Sequence, residues 1–198
     1  MKLYGTTTSP YVRRVRIIAA EVAAPLELVD TASPAGQDAL RAVTPIRKVP
    51  VATFADGRTL FDSRAILDHV DTTHAWRATL DPKRHRLDEH NLVNAIDGAL
   101  DAVIQLFYLR RDGVAIDGTP YATRQLERAD AIFAWLAARL AAGELSTASP
   151  GLPETSICCT LDWMEFRDSY PTERAAALAP IRAAFRDRPT FAATRPHA

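Results

Sequence analysis

Apolar residues recur along the chain with two different periods, and the switch between them outlines the elements. Residues 1–4 read as a short strand, residues 6–10 as a polar turn, and Val12, Val15, Ile18, Ala19 and Val22 then fall at helical spacing. Strand, loop and helix follow in that order. Residues 26–29 supply a second short strand and residues 34–43 a weakly periodic helix that stops ahead of Pro45, so the opening reads βαβα. Residues 49–54 are strand-like, Asp56-Gly57 reads as a two-residue hairpin turn, and residues 59–61 resume as the partner strand. Asp62-Ser63 precedes Ala65, Ile66, Leu67, His69 and Val70, which predicts a capped helix directly after the hairpin. The pattern is βαβ followed by ββα.

Strand signals cease after that helix. Composition turns polar over residues 71–86, and the linker is placed at 77–83, between a first domain over 1–76 and a second over 84–198. The second domain holds helical segments only, at 87–111, 119–142, 153–168 and 172–187, which predicts an all-α helix bundle. Gly151 stands at the N-cap place of the third of these, with Glu154 three residues on, half of a capping box.

Composition narrows the class of partner. A hydrophobic share of 47% suffices for a sizeable core, and Lys plus Arg equals Asp plus Glu at 24 each. Without a net field there is no attraction for nucleic acid or an acidic membrane surface. The first residues lack the apolar region of a signal peptide, and no stretch reaches the roughly 18 uninterrupted apolar residues of a spanning helix, so a cytoplasmic location is expected. Cys158 and Cys159 are adjacent in a helical pattern, which suits neither an ordinary disulfide nor a Cys-x-x-Cys pair, and they are read as small core residues.

Three short motifs carry candidate chemistry. Ser9-Pro10 opens the first helix with a favoured N-cap and a favoured first residue; alone it is a good cap, yet a helix N-terminus also suits an anion such as a thiolate. Lys48-Val49-Pro50-Val51 puts a proline at the start of a strand, as an edge residue or in a cis bond; in the latter case Val49 offers free main-chain groups to an extended peptide. Asp62-Ser63 is a second helix start, suited to a cap or to a carboxylate ligand. Arg13, Arg14 and Arg16 read as a solvated helix face, with an interface or ligand-carboxylate role as the sharper alternative. The five histidines show no metal-ligand spacing and no metal is expected.

Taken in order, the stretches T-S-P-Y-V-R-R-V-R-I (residues 8–17), P-I-R-K-V-P-V (45–51) and F-D-S-R-A-I (61–66) resemble the cytosolic glutathione S-transferase superfamily, in its bacterial serine-type members. L-D-W-M-E-F-R (161–167) resembles that family's core helix, and the F-A-A-T-R-P ending is similar to the YibF-type branch. The resemblance implies a thioredoxin-like N-terminal domain, an all-helical C-terminal domain and glutathione as co-substrate. It implies that Ser9 donates to the glutathione sulfur, that Val49, before the cis-proline position Pro50, pairs with the cysteinyl backbone, that Asp62 and Ser63 hold the γ-glutamyl end, and that Lys48 lies near the glycyl end. Where the family commonly has Glu or Gln, Asp62 is shorter. Tyr11, Val103, Phe107, Tyr108 and Trp163 are the candidates for an apolar second-substrate pocket, though their spacing suits core residues equally. The expected activity is transfer of glutathione to a small hydrophobic electrophile, or peroxide reduction, by a homodimer in detoxification. The alternative is a non-catalytic, protein-binding or regulatory member of the same fold.

Overall fold

The structure, a computed structural model, describes residues 1–197. The chain forms two compact units: Met1–Pro82 joined by the segment from Asp187 onward, and Lys83–Arg186.

The first unit begins with β1 (Lys2–Gly5), α1 (Pro10–Glu21), β2 (Glu27–Asp30), α2 (Pro34–Val43), β3 (Val51–Thr53), β4 (Thr59–Leu60) and α3 (Ser63–His74). Its sheet has the order β2-β1-β3-β4, with β2 parallel to β1, and β3 and β4 antiparallel to their neighbours. This is the thioredoxin-like βαβ-ββα arrangement. Leu3 stands opposite Leu28 on one side and Ala52 on the other, and Leu3, Val12, Val15, Ile18, Val51, Ala52, Ile66 and Leu67 are buried. Serine opens both early helices: Ser9 Oγ accepts from Val12 N at 3.3 Å and Ser33 Oγ from Gly36 N at 3.1 Å. Gly36 is there because α2 presses on the end of β2; a Cβ would lie 1.9 Å from the Asp30 carbonyl oxygen.

The hairpin differs from the two-residue turn expected of Asp56-Gly57. Phe54 N donates to Arg58 O and Gly57 N to Phe54 O, both at 3.0 Å, and Gly57 has φ +83°. The loop therefore has three residues and ends on a left-handed glycine, a type I turn with a bulge. A further difference is α4 (Trp76–Leu80), which begins where the linker was expected. Trp76 is fully buried and its Nε1 donates to Leu67 O at 2.8 Å, while Arg77 reaches Asp68 and Asp71 at 2.7 and 3.0 Å.

The second unit contains α5 (Arg86–Arg111), α6 (Pro120–Ala141), α7 (Leu152–Phe166), a 3-10 stretch at Thr172–Leu178 and α8 (Ala179–Phe185). It is the helical bundle expected. Length and apolarity alone would let α5 cross a bilayer, yet Leu92, Val93, Ile96, Leu100, Val103 and Leu106 are buried and α5 packs on α6 and α7. α7 is the core helix, with Ile157, Cys158, Cys159, Leu161 and Met164 all buried, and neither cysteine is in a disulfide. Gly151 is its N-cap. Glu154, with no exposed surface, accepts from Ser146 N at 2.9 Å and pairs with Arg84 at 2.6 Å.

The segment from Asp187, expected in the helical domain, belongs instead to the first unit and contains α9 (Pro189–Ala192). Phe191 is buried, and the Arg13 guanidinium donates to Phe191 O at 3.2 Å and to Thr194 Oγ1 at 3.4 Å. Arg188 Nε donates to Glu21 Oε1 at 2.6 Å, and the Thr190 hydroxyl donates to the same carboxylate. Burial pushes the Glu21 carboxyl up, but the bonds from Arg188 and Thr190 outweigh it and hold the group below the ordinary carboxylate range.

Candidate functional site

Ser9 caps α1 with extended backbone, φ −73° and ψ 125°, and is half-buried. Its oxygen takes the Val12 N–H, and its hydroxyl proton has no acceptor among the described residues. A hydroxyl has one donor beside its two lone pairs, so Ser9 can close the helix and still donate to an incoming atom. The preceding loop is ordered by Ser9 N donating to Thr6 O at 3.3 Å and by the Thr6 and Thr8 hydroxyls 3.3 Å apart.

Pro50 follows a cis Val49-Pro50 bond and is buried. The Val49 side chain packs against the cluster formed by Tyr4, Leu40 and Val51, and neither its N–H nor its C=O has a hydrogen-bond partner among the described residues. Those two groups lie just before β3, where an extended ligand backbone can add to the strand. Lys48 is exposed one residue earlier.

Asp62 is the N-cap of α3: its Oδ1 accepts from Arg64 N at 2.9 Å, and the residue is exposed. Ser63, the first residue of α3, is fully buried, and its Oγ accepts from Arg14 Nε at 3.0 Å and from Arg14 Nη2 at 2.7 Å. Arg13 and Arg14 are each only 2% exposed. The solvated face assigned to them is thereby corrected: Arg14 ties α1 to α3 through Ser63 and lies over the Tyr11 ring at 5.0 Å, while Arg13 ties α1 to the segment of α9. A string of arginines gives no sequence signal for this, since the partners lie tens of residues away.

Tyr11 belongs to the first unit and is half-buried. The other pocket candidates lie in the second unit, where Phe107 meets Trp163 edge to face at 5.4 Å and Tyr108 at 5.6 Å. Phe107 is half-buried and Tyr108 is exposed; Val103 and Trp163 are 0% and 5% exposed, which puts both in the core. Arg167, which sequence reasoning passed over, stands one helical turn beyond Trp163 with its guanidinium 5.4 Å from the Phe107 ring centre. No cluster of three or more His, Cys, Asp or Glu occurs among the described residues.

Residues 3–80 match the family model of the glutathione S-transferase N-terminal domain. The GST-like protein YibF of Escherichia coli K12 is 26% identical, over 99% of this chain and 98% of its own length. Among solved structures, a glutathione transferase family member from Pseudomonas fluorescens Pf-5 with bound glutathione is 26% identical with a TM-score of 0.85, covering 100% of this chain and 99% of that one. A structure of a Pf-5 family member with bound S-(propanoic acid)-glutathione is 25% identical with a TM-score of 0.81, covering 99% of both. Fold, motif order and these likenesses agree along the chain and support the glutathione S-transferase superfamily, whose N-terminal domain residues 3–80 match.

Proposed function

We propose that the protein is a glutathione S-transferase that holds glutathione on its first unit and presents the sulfur as a thiolate to a small electrophile. The observation that carries this reading is Ser9, a helix N-cap whose hydroxyl proton is uncommitted. A free thiol near pKa 8.5 is mostly protonated at neutral pH, and the thiolate is the nucleophile. The Ser9 hydrogen bond and the N-terminal end of α1 both favour the anion; lowering the pKa by about two units corresponds to about 2.7 kcal/mol. Glutathione-bound relatives support the choice of thiol.

In the proposed complex the Val49 main chain pairs with the cysteinyl backbone, and Pro50 fixes that edge. Asp62 takes the γ-glutamyl amine and the N-terminal end of α3 the γ-glutamyl carboxylate. Ser63 shapes that end from within, through Arg14. Lys48 takes the glycyl carboxylate. The apolar contacts proposed for the second substrate are, on the second unit, Phe107 and Tyr108, which Val103 and Trp163 back from the core; Tyr11 is the candidate on the first unit taken by itself. The thiolate forms a carbon–sulfur bond while the leaving group departs with its electron pair; with an activated alkene, water protonates the resulting carbanion. With a peroxide the sulfur attacks the O–O bond and takes one oxygen as a sulfenic acid while the other leaves, protonated, as an alcohol; a second glutathione then displaces water from the sulfenic sulfur to give the disulfide. The conjugate bound by the Pseudomonas relative carries a carboxylate on its S-substituent, which makes acidic electrophiles part of the substrate range proposed here. The reading includes a homodimer acting in the cytoplasm in detoxification.

Retention on immobilised glutathione and elution by free glutathione, followed by turnover of an aromatic halide, test this reading. Retention with turnover is expected. A protein that passes through the resin and turns over neither halide nor peroxide would be a non-catalytic member of the fold.

A further inference from the structure

We propose that Arg167 makes the protein selective for second substrates that carry an anionic group on an aromatic or apolar frame, an inference that deepens the transferase reading. Arg167 is half-buried at the C-cap of α7, with its guanidinium carbon 5.4 Å from the Phe107 ring centre and 4.7 Å from that of Phe166. The end of α7 favours a cation there, but it does not account for the stacking on Phe107. No carboxylate or carbonyl among the described residues accepts from this guanidinium, and its Nε–H is shielded from solvent without an acceptor.

Other arginines of the same unit are committed: Arg84 to Glu154, Arg110 to Asp117, Arg139 to Glu144, and Arg182 to Asp162 and Glu165. Arg167 thus combines a charge with unspent donors and a ring beside it. A guanidinium whose face lies on a ring keeps its N–H donors along its edge, where the planar oxygens of a carboxylate or sulfonate fit two at a time. The Phe107 ring, half-buried and set edge to face against Trp163, lies beside that guanidinium and offers it an apolar neighbour. A ligand with an aryl ring and an acidic substituent uses both, and a neutral ligand of the same shape uses only the ring.

Two matched pairs of compounds test the proposal. The first is 4-chloro-3,5-dinitrobenzoate and its methyl ester, in which glutathione displaces chloride from the same carbon. Arg167→Gln is expected to lower the acid-to-ester ratio of kcat/KM about tenfold or more, mainly through KM, and Arg167→Lys is expected to restore part of it. An unchanged ratio in both variants overturns the proposal. The second pair, 8-anilinonaphthalene-1-sulfonate and its uncharged parent N-phenyl-1-naphthylamine, is titrated by fluorescence without glutathione and so does not depend on turnover. Preference for the sulfonate in the native protein, lost in Arg167→Gln, supports the assignment even where no transferase activity is found. Equal loss for both compounds, or for neither, removes it. Should Arg167→Gln melt at a lower temperature than the assay, Arg167→Lys carries the comparison.

Discussion

At Ser9 one atom has two duties, and a single substitution separates them. Ser9→Ala removes the donor to sulfur and is expected to raise the pKa of bound glutathione by about one unit or more, since a hydrogen bond to a charged group is worth about 1.5 to 3 kcal/mol. Thiolate absorbance followed against pH measures this directly. The same change deletes the cap on Val12 N and should lower stability by about 1 kcal/mol, read separately by thermal melting. An unshifted titration would transfer the role to the helix end or to Thr7 or Thr8. The caps at Ser9 and Asp62 and the proline that leads into β3 were legible in the sequence because each depends on neighbours within a few residues. The bond between Arg14 and Ser63 was not, because it joins residues 49 positions apart.

Among the elements, order and type followed from periodicity and caps, and the departures have local causes. The hairpin gained a third loop residue because Gly57 takes a left-handed conformation after the Asp56 turn, so the bulge and not a mirror-image turn sets the register of β3 and β4. α4 was hidden because a polar stretch conceals two anchors, Trp76 and Leu80, too few to show a period. Two elements rest on single residues. Gly36→Ala would set a Cβ against the Asp30 carbonyl, and because a backbone atom cannot swing aside, a loss of about 1 to 3 kcal/mol is expected in denaturant titration. Glu154→Gln takes the counter-charge from Arg84, whose side chain is only 10% exposed, and a loss of about 3 kcal/mol is expected from the same measurement.

For the whole molecule, the distribution of charge pairs ties stability to pH. The folded Glu21 carboxyl titrates below its unfolded value, so its contribution is complete above about pH 4.5 and is lost as pH falls through the lower, folded value. Melting temperature measured against pH should therefore separate the native protein from Glu21→Gln at neutral pH, and the two curves should converge in acid. The proposed dimer predicts twice the sequence mass of 21.7 kDa in sedimentation at micromolar concentration, and a stable species of single mass would exclude it.

Arg13 and Glu21, both on α1, grip a segment that begins 166 positions beyond Glu21, at Asp187. During synthesis the ribosome makes the strands and helices of the first unit long before it makes Phe191, the buried side chain that covers α1. A nascent chain halted anywhere between residues 82 and 187 would carry a complete sheet with one flank of its first helix still bare, and Arg13 without the carbonyl that receives it. Glutathione binding by such arrested chains, compared with the released protein, would time when the site becomes competent. A stretch that leaves the ribosome long afterwards finishes the unit begun first.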